Sequence, residues 1–260
     1  MTRDFLLIDI PVFVPEYDEN KEYGWNKFKD NLWDLLKNTT KGYCMYCYDS
    51  IWINGQRRGQ IEHGIEKVNL PERLEDCVPN LGIACENCNM KYKKRGEMQR
   101  RLPPQSIKEF GEGECLRFSC KAPCDKFKKL RAEYMRKGKI MIQPFEVRKA
   151  DGGRSLRIQY DLYQCKYIPS RNCGEYDEEE LAIIEGHIKQ FALNGADRKN
   201  YELEKFCKNV IDNRCLMQGY EYNNLVVELF RKKLQGISMK EAINICKTIY
   251  PNVHYRNNVT

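Results

Sequence analysis

The sequence has no apolar run long enough to cross a bilayer. Its most apolar early stretch, Phe5 to Val14, is short and contains Asp9 and Pro11, whereas a membrane-spanning helix needs about 20 consecutive apolar residues. The same stretch has neither a basic leader nor a small-residue cleavage site, so it does not read as a secretory signal; a buried strand is the expectation. Internal repeats, low-complexity tracts and long linkers are missing. Histidine is scarce, with three in 260 residues. A strong charge excess is also missing: the formal net charge is +7, too small to establish a nucleic-acid partner, so the distribution of charge must decide.

What the chain does have is a globular composition, with 42% hydrophobic and 31% charged residues, and enough length for one large domain or two small ones. It also has thirteen cysteines. In a secreted chain that count would suggest disulfides. Here there is no signal sequence, and several cysteines stand in pairs two residues apart, a spacing that a metal knuckle needs and a disulfide framework does not. A reducing cytoplasmic location with bound zinc is the expectation.

The expected fold class is α+β, in four segments. Residues 1–40 read as a strand and a helix, the helix spanning 24–38 with Trp25, Phe28, Leu32, Leu35 and Leu36 on one face. Residues 41–102 form a cysteine-bearing core. Within it Asn54-Gly55 predicts a type I′ hairpin, because both residues tolerate positive φ. Ile61 and His63 then share one strand face and Glu62 the other, unless a bend or bulge brings Glu62 and His63 to one site. A loop over 68–79, a strand Asn80–Ala84 and a helix from Cys85 complete the order strand, loop, strand, helix. Residues 103–170 hold a cysteine-containing loop, the basic run KFKKLRAEYMRKGK (126–139) and alternating segments that predict a hairpin around Asp151-Gly152-Gly153. Residues 171–260 read as helical, with capping boxes at Asp177/Glu180 and Ser238/Glu241. The basic run fits a nucleic-acid backbone and fits a solvated helix face equally well.

Cys44-Met-Tyr-Cys47 and Cys85-Glu-Asn-Cys88 are two CxxC knuckles separated by 37 residues. Four thiolates satisfy tetrahedral zinc, and such a site contributes directly to folding. Unligated buried cysteines or a redox pair are the alternatives, although a redox site normally uses one pair in a βαβ context. Cys115, Cys120 and Cys124, with Cys165 or Cys173, are a looser candidate second zinc site. Cys207, Cys215 and Cys246 sit on apolar helical faces and read as small core residues.

Between and beside the knuckles lie Glu62-His63, Asn80-Leu81 and Asn89. The string CMYC, IEHGIEK, NLGIACENCNMKYKK resembles the zinc-bearing branch of the HNH, or His-Me finger, endonucleases over residues 43–95, about a fifth of the chain. The resemblance implies a ββα-metal core and a metal-dependent hydrolysis of DNA or RNA phosphodiester bonds. It makes His63 the general base, with Asn80 holding its ring or the loop around it. It gives Glu62 and Asn89 to one catalytic Mg²⁺ or Mn²⁺, and brings Lys67, Lys91, Lys93, Lys94 and Arg95 towards phosphates. Many relatives carry Glu-His-x-x-Pro-Lys; here Glu66 stands at the proline position and Lys67 is kept, which is expected to alter the loop after the base and add a charge near the metal. The segment Phe191-Ala-Leu-Asn194 followed by Arg198 resembles one found after the HNH core of Septu-type phage-defence subunits, which implies a bacterial antiviral or restriction context and an ATPase partner. Two rival readings are a non-catalytic zinc module that binds nucleic acid or protein, and a structural subunit with a vestigial site.

Overall fold

The computed structural model describes residues 3–69, 72–112, 117–150, 152–216 and 220–259. Strand β1 (Leu7–Asp9) and helix α1 (Lys29–Thr40) lead into a short hairpin of β2 (Trp52–Ile53) and β3 (Gln56–Arg57). Strand β4 (Gly59–His63), a one-turn helix α2 (Glu72–Glu75) and β5 (Leu81–Cys85) follow. A π-helical segment, Asn87–Lys93, then precedes α3 (Pro104–Gly111) and α4 (Asp125–Gly138). Strands β6 (Ile158–Asp161) and β7 (Lys166–Pro169) join β1 in a sheet, and the chain ends in α5 (Glu178–Gln190), α6 (Tyr201–Asn213), α7 (Leu225–Leu234) and α8 (Met239–Val259). This mixed architecture, with small antiparallel sheets, is compatible with α+β. Among the described residues no helix is long and apolar enough to cross a membrane.

Local sequence accounts for the turns that were expected. Asn54 and Gly55 both have positive φ, 51° and 73°, and Ile53 pairs with Gln56 across them, as a type I′ hairpin requires. The Asp177 side chain accepts from the Glu180 backbone N–H and the Glu180 carboxylate from that of Asp177, the reciprocal box expected at α5. Ser238 and Glu241 exchange the same bonds ahead of α8.

Other elements differ from expectation. Helix α1 begins at Lys29, not at residue 24, because Phe28 is left-handed at φ 59°. The Trp25 and Asn26 backbone N–H groups and the Asn26 amide all donate to the Asp76 carboxylate, which holds Trp25 off the helix. Phe28 is exposed, touching the edge of Phe118. The helix after Cys85 ends at Lys93, where Gly96 takes φ +80° and Arg100 donates to the carbonyls of Lys93 and Arg95. The hairpin predicted within 140–163 is reduced to one isolated antiparallel bridge, Arg148 to Ser155, on either side of the predicted turn. The longer strand pair is β6–β7, turning through Cys165 at φ 52°. In the predicted hairpin the carbonyls of Ile142 and Phe145 accept from the buried Arg131 guanidinium instead of a neighbouring strand. Asp151 lies outside the described residues. Cys207 and Cys246 are buried where α6 packs on α8, whereas Cys215 is exposed beyond the end of α6.

The core that carries the site lies between α1 and β5. Leu32 and Leu36 of α1, Met45 and Ile51 of the first knuckle region, and Ile61, Leu81 and Ile83 of the β4–β5 pair are all buried. The Met45 N–H donates to the Ile83 carbonyl at 3.1 Å, so the first knuckle extends the β4–β5 pair by one main-chain bond.

Candidate metal centre and the His63 site

The Cys44–Tyr48 turn closes on itself through the Tyr48 N–H and the Cys44 carbonyl, 3.0 Å apart, and β5 delivers Cys85 into the first turn of the π-helical segment that bears Cys88. The four ligand sulfurs all lie within 4.8 Å of one another, and Cys47 Sγ is 3.7 Å from Cys85 Sγ. A zinc tetrahedron with Zn–S near 2.3 Å separates its sulfurs by about 3.8 Å, so the cluster fits a metal ion such as zinc. Among the described residues, Cys120, Cys124, Cys165 and Cys173 join no such group. Cys120 donates to the Ala122 carbonyl, Cys165 is buried in the β6–β7 turn, and Cys115 lies outside the described residues.

Arg198 adds a feature that spacing could not reveal. Its guanidinium donates to Asp49 Oδ2 at 2.9 Å and lies 3.5 Å from Cys88 Sγ, with its carbon 5.0 Å from the Tyr92 ring centre. A Zn²⁺ held there by four thiolates would carry a formal charge of about −2, and Arg198 would supply part of the counter-charge. The Phe191–Asn194 segment also has structural work. Phe191 stacks on Tyr46 at 4.4 Å, while Asn194 bonds both the N–H and the carbonyl of Tyr167.

His63 ends β4, paired with Leu81, while Glu62 pairs with Gly82. The strand is regular and has no bulge, so the two side chains leave on opposite faces. The His63 ring is buried beside the Trp25 edge, with ring centres 5.1 Å apart. Its Nε2 is 3.0 Å from the Glu75 carbonyl. A carbonyl only accepts, so Nε2 bears the proton and Nδ1 keeps the lone pair. Burial is the main cause pulling its pKa down to about 4, with Lys67 and Lys93 adding to the shift; the ring is neutral at pH 7. Asn80 holds the loop after the histidine. Its Oδ1 accepts from the Ile65 N–H at 2.8 Å, and its Nδ2 donates to the carbonyls of Ile65 and Leu74.

The catalytic-metal pair is where structure and resemblance part. Glu62 accepts from the Tyr46 hydroxyl on one oxygen and from the Lys93 ammonium on the other. Asn89 Nδ2 donates to Gln60 Oε1 at 2.9 Å. With both its oxygens engaged by a phenol and a cation, the Glu62 carboxylate does not fit a divalent ion. Lys93, expected at the phosphates, is instead buried in that ion pair. Lys67 pairs with Glu75 and lies 4.7 Å from the Trp25 ring centre. Lys91, Lys94 and Arg95 are exposed.

Glu66 does not add a free charge to the site. Its carboxylate accepts from the Arg100 guanidinium and the Tyr134 hydroxyl, and the Tyr134 hydroxyl also accepts from Arg100 Nε at 2.8 Å. The loop after His63 is thereby fastened to α4. Sequence reasoning missed Tyr46, Asp49 and Arg100, placed Tyr134 only within the basic run, and named Arg198 only as part of a resembling segment. The one available signal was Glu66, a charge where the motif resemblance leads one to expect proline, since a charge entering a core requires a partner. Comparison with family models, with curated proteins and with solved structures found no match to this chain.

Proposed function

We propose that the chain is an HNH-type endonuclease that hydrolyses phosphodiester bonds of DNA or RNA, with a structural zinc in the Cys44, Cys47, Cys85, Cys88 frame. The observation that carries the reading is His63, neutral and oriented through the Glu75 carbonyl at 3.0 Å. It ends a strand that the cysteine frame ties to the following helical segment. A neutral imidazole with its lone pair on Nδ1 is the form a general base needs. His63 takes a proton from water, the resulting hydroxide attacks phosphorus, one P–O bond breaks, and the leaving oxygen recovers a proton from solvent. Asn80 keeps the loop behind the base in place, and exposed Lys91, Lys94 and Arg95 supply positive charge for phosphates.

The test is His63→Ala on zinc-loaded protein. Cleavage of plasmid, single-stranded DNA and RNA is followed with and without Mg²⁺ or Mn²⁺, and binding is followed by fluorescence anisotropy. The expected result is a loss of cleavage of about 10²–10⁴-fold with binding essentially unchanged. A wild type that cleaves none of these substrates overturns the reading.

A second reading, a zinc module that binds without hydrolysis, is favoured by the internal engagement of both Glu62 oxygens. It is distinguished by binding that persists without cleavage and is indifferent to His63.

A further inference from the structure

Lys93 is the residue in the site whose behaviour least resembles its neighbours'. Lys91 and Lys94 on either side of it are exposed, whereas its own side chain is 3% exposed, against 1% for its partner Glu62. Its ammonium donates to Glu62 Oε2 and to the His63 backbone carbonyl. The other carboxylate oxygen accepts from the Tyr46 hydroxyl, a group whose pKa burial and the adjacent Glu62 push well up, so it stays a donor. The lysine is held from behind as well: its own carbonyl accepts from Arg100, which the Glu66 carboxylate and the Tyr134 hydroxyl hold in turn. It is the last residue of a π-helical turn, a geometry that moves a side chain off the register of an ordinary helix and recurs at functional sites.

A carboxylate this buried requires a compensating cation. The motif resemblance assigns that part to a divalent ion shared with Asn89, yet the cation found against Glu62 is the Lys93 ammonium. An ammonium and a divalent ion beside the same carboxylate would repel one another strongly in a low-dielectric interior, so the two are exclusive occupants. We propose that Lys93 is the resident cation of this site: its ammonium neutralises Glu62 and keeps Mg²⁺ and Mn²⁺ from binding there. The inference rests on reading Glu62 and Asn89 as the counterpart of the family's metal pair. It revises which cation the site uses, and does not depend on whether the site hydrolyses anything.

The experiment is metal binding by the full chain with zinc loaded, using Mn²⁺ as the probe, read by equilibrium dialysis and by paramagnetic broadening of the Tyr46 and His63 ring signals. The wild type is expected to bind no Mn²⁺ at this site up to about 1 mM free ion. Lys93→Met is expected to gain one Mn²⁺ per chain, at least about tenfold tighter than that limit, and adding Glu62→Gln is expected to abolish the gain. Wild-type broadening of both rings at lower Mn²⁺ overturns the proposal, as does a folded Lys93→Met that gains nothing. If Lys93→Met does not fold, the wild-type broadening decides alone. A protein that excludes Mn²⁺ yet cleaves nothing would sink the hydrolytic reading and leave this one standing. A protein that cleaves and binds Mn²⁺ at Glu62 would do the reverse.

Discussion

His187, a histidine outside the motif, shows how a single buried side chain sets a pH response. It is enclosed between α5 and the 140–142 segment, its Nδ1 accepting from the Met141 N–H at 3.2 Å, and burial pulls its pKa down to about 3. The unfolded chain protonates histidine near 6.5 and the folded one does not until about 3. The stabilising contribution is therefore whole above pH 6.5 and is lost as pH falls towards 3. His63 behaves likewise between 6.5 and about 4. Urea titrations at pH 7 and pH 4 are expected to differ by roughly 3 kcal/mol on account of His187, and His187→Gln is expected to remove much of that difference. An unchanged difference in His187→Gln would reject the assignment. Identity and neighbourhood act separately here. His63 was identifiable from the residues around it, but its neutrality depends on burial, to which the edge of Trp25, held by Asp76, contributes.

At the scale of elements, the link between the β4–α2 loop and α4 is a buried polar network of Glu66, Arg100 and Tyr134. Arg100→Met leaves the largely enclosed Glu66 carboxylate, 11% exposed, without its cation and is expected to cost about 2–4 kcal/mol. Lys94→Ala, on an exposed side chain, is expected to stay within about 0.5 kcal/mol. Equilibrium denaturation of the two zinc-loaded variants side by side checks this, and similar values for both would contradict it. The same scale shows what the sequence made legible. Asn54-Gly55 and the Asp177/Glu180 box were readable because turn and cap chemistry is local. The knuckles were readable because coordination fixes ligand type and spacing. The start of α1 and the strands of the 140–163 region were not, because they answer to Asp76 and Arg131, partners about 50 and 11–14 residues away in sequence. The closure of Glu62 by Lys93 was hidden for a further reason: alternation placed Glu62 on the far strand face, but nothing local distinguished Lys93 from the lysines beside it.

For the molecule as a whole, the cysteine frame joins the first knuckle region, β5 and, through Arg198, the C-terminal third. Structural zinc sites in finger peptides bind with roughly 10–16 kcal/mol of apparent free energy, comparable with the total stability of a typical domain. Elemental analysis is expected to find one zinc per chain. Stripping it with a chelator is expected to cost about 5 kcal/mol or more, a fall in Tm of roughly 10–20 °C for a chain of this size. Cys85→Ser should start near the stripped value and respond little to chelator. Two zinc ions per chain would revive the Cys115, Cys120, Cys124 site, and a chelator-insensitive Tm would remove zinc from the fold.

The Arg198 contact also has a history in time. A chain made from its N terminus has all four thiols once Cys88 has emerged, but the guanidinium that lies against that sulfur comes 110 residues later. At 5–20 residues per second that interval is about 5–20 s. A frame that took up its metal during that interval would carry a negative charge that Arg198 does not yet offset, and the centre would be finished only when the last third of the protein arrives.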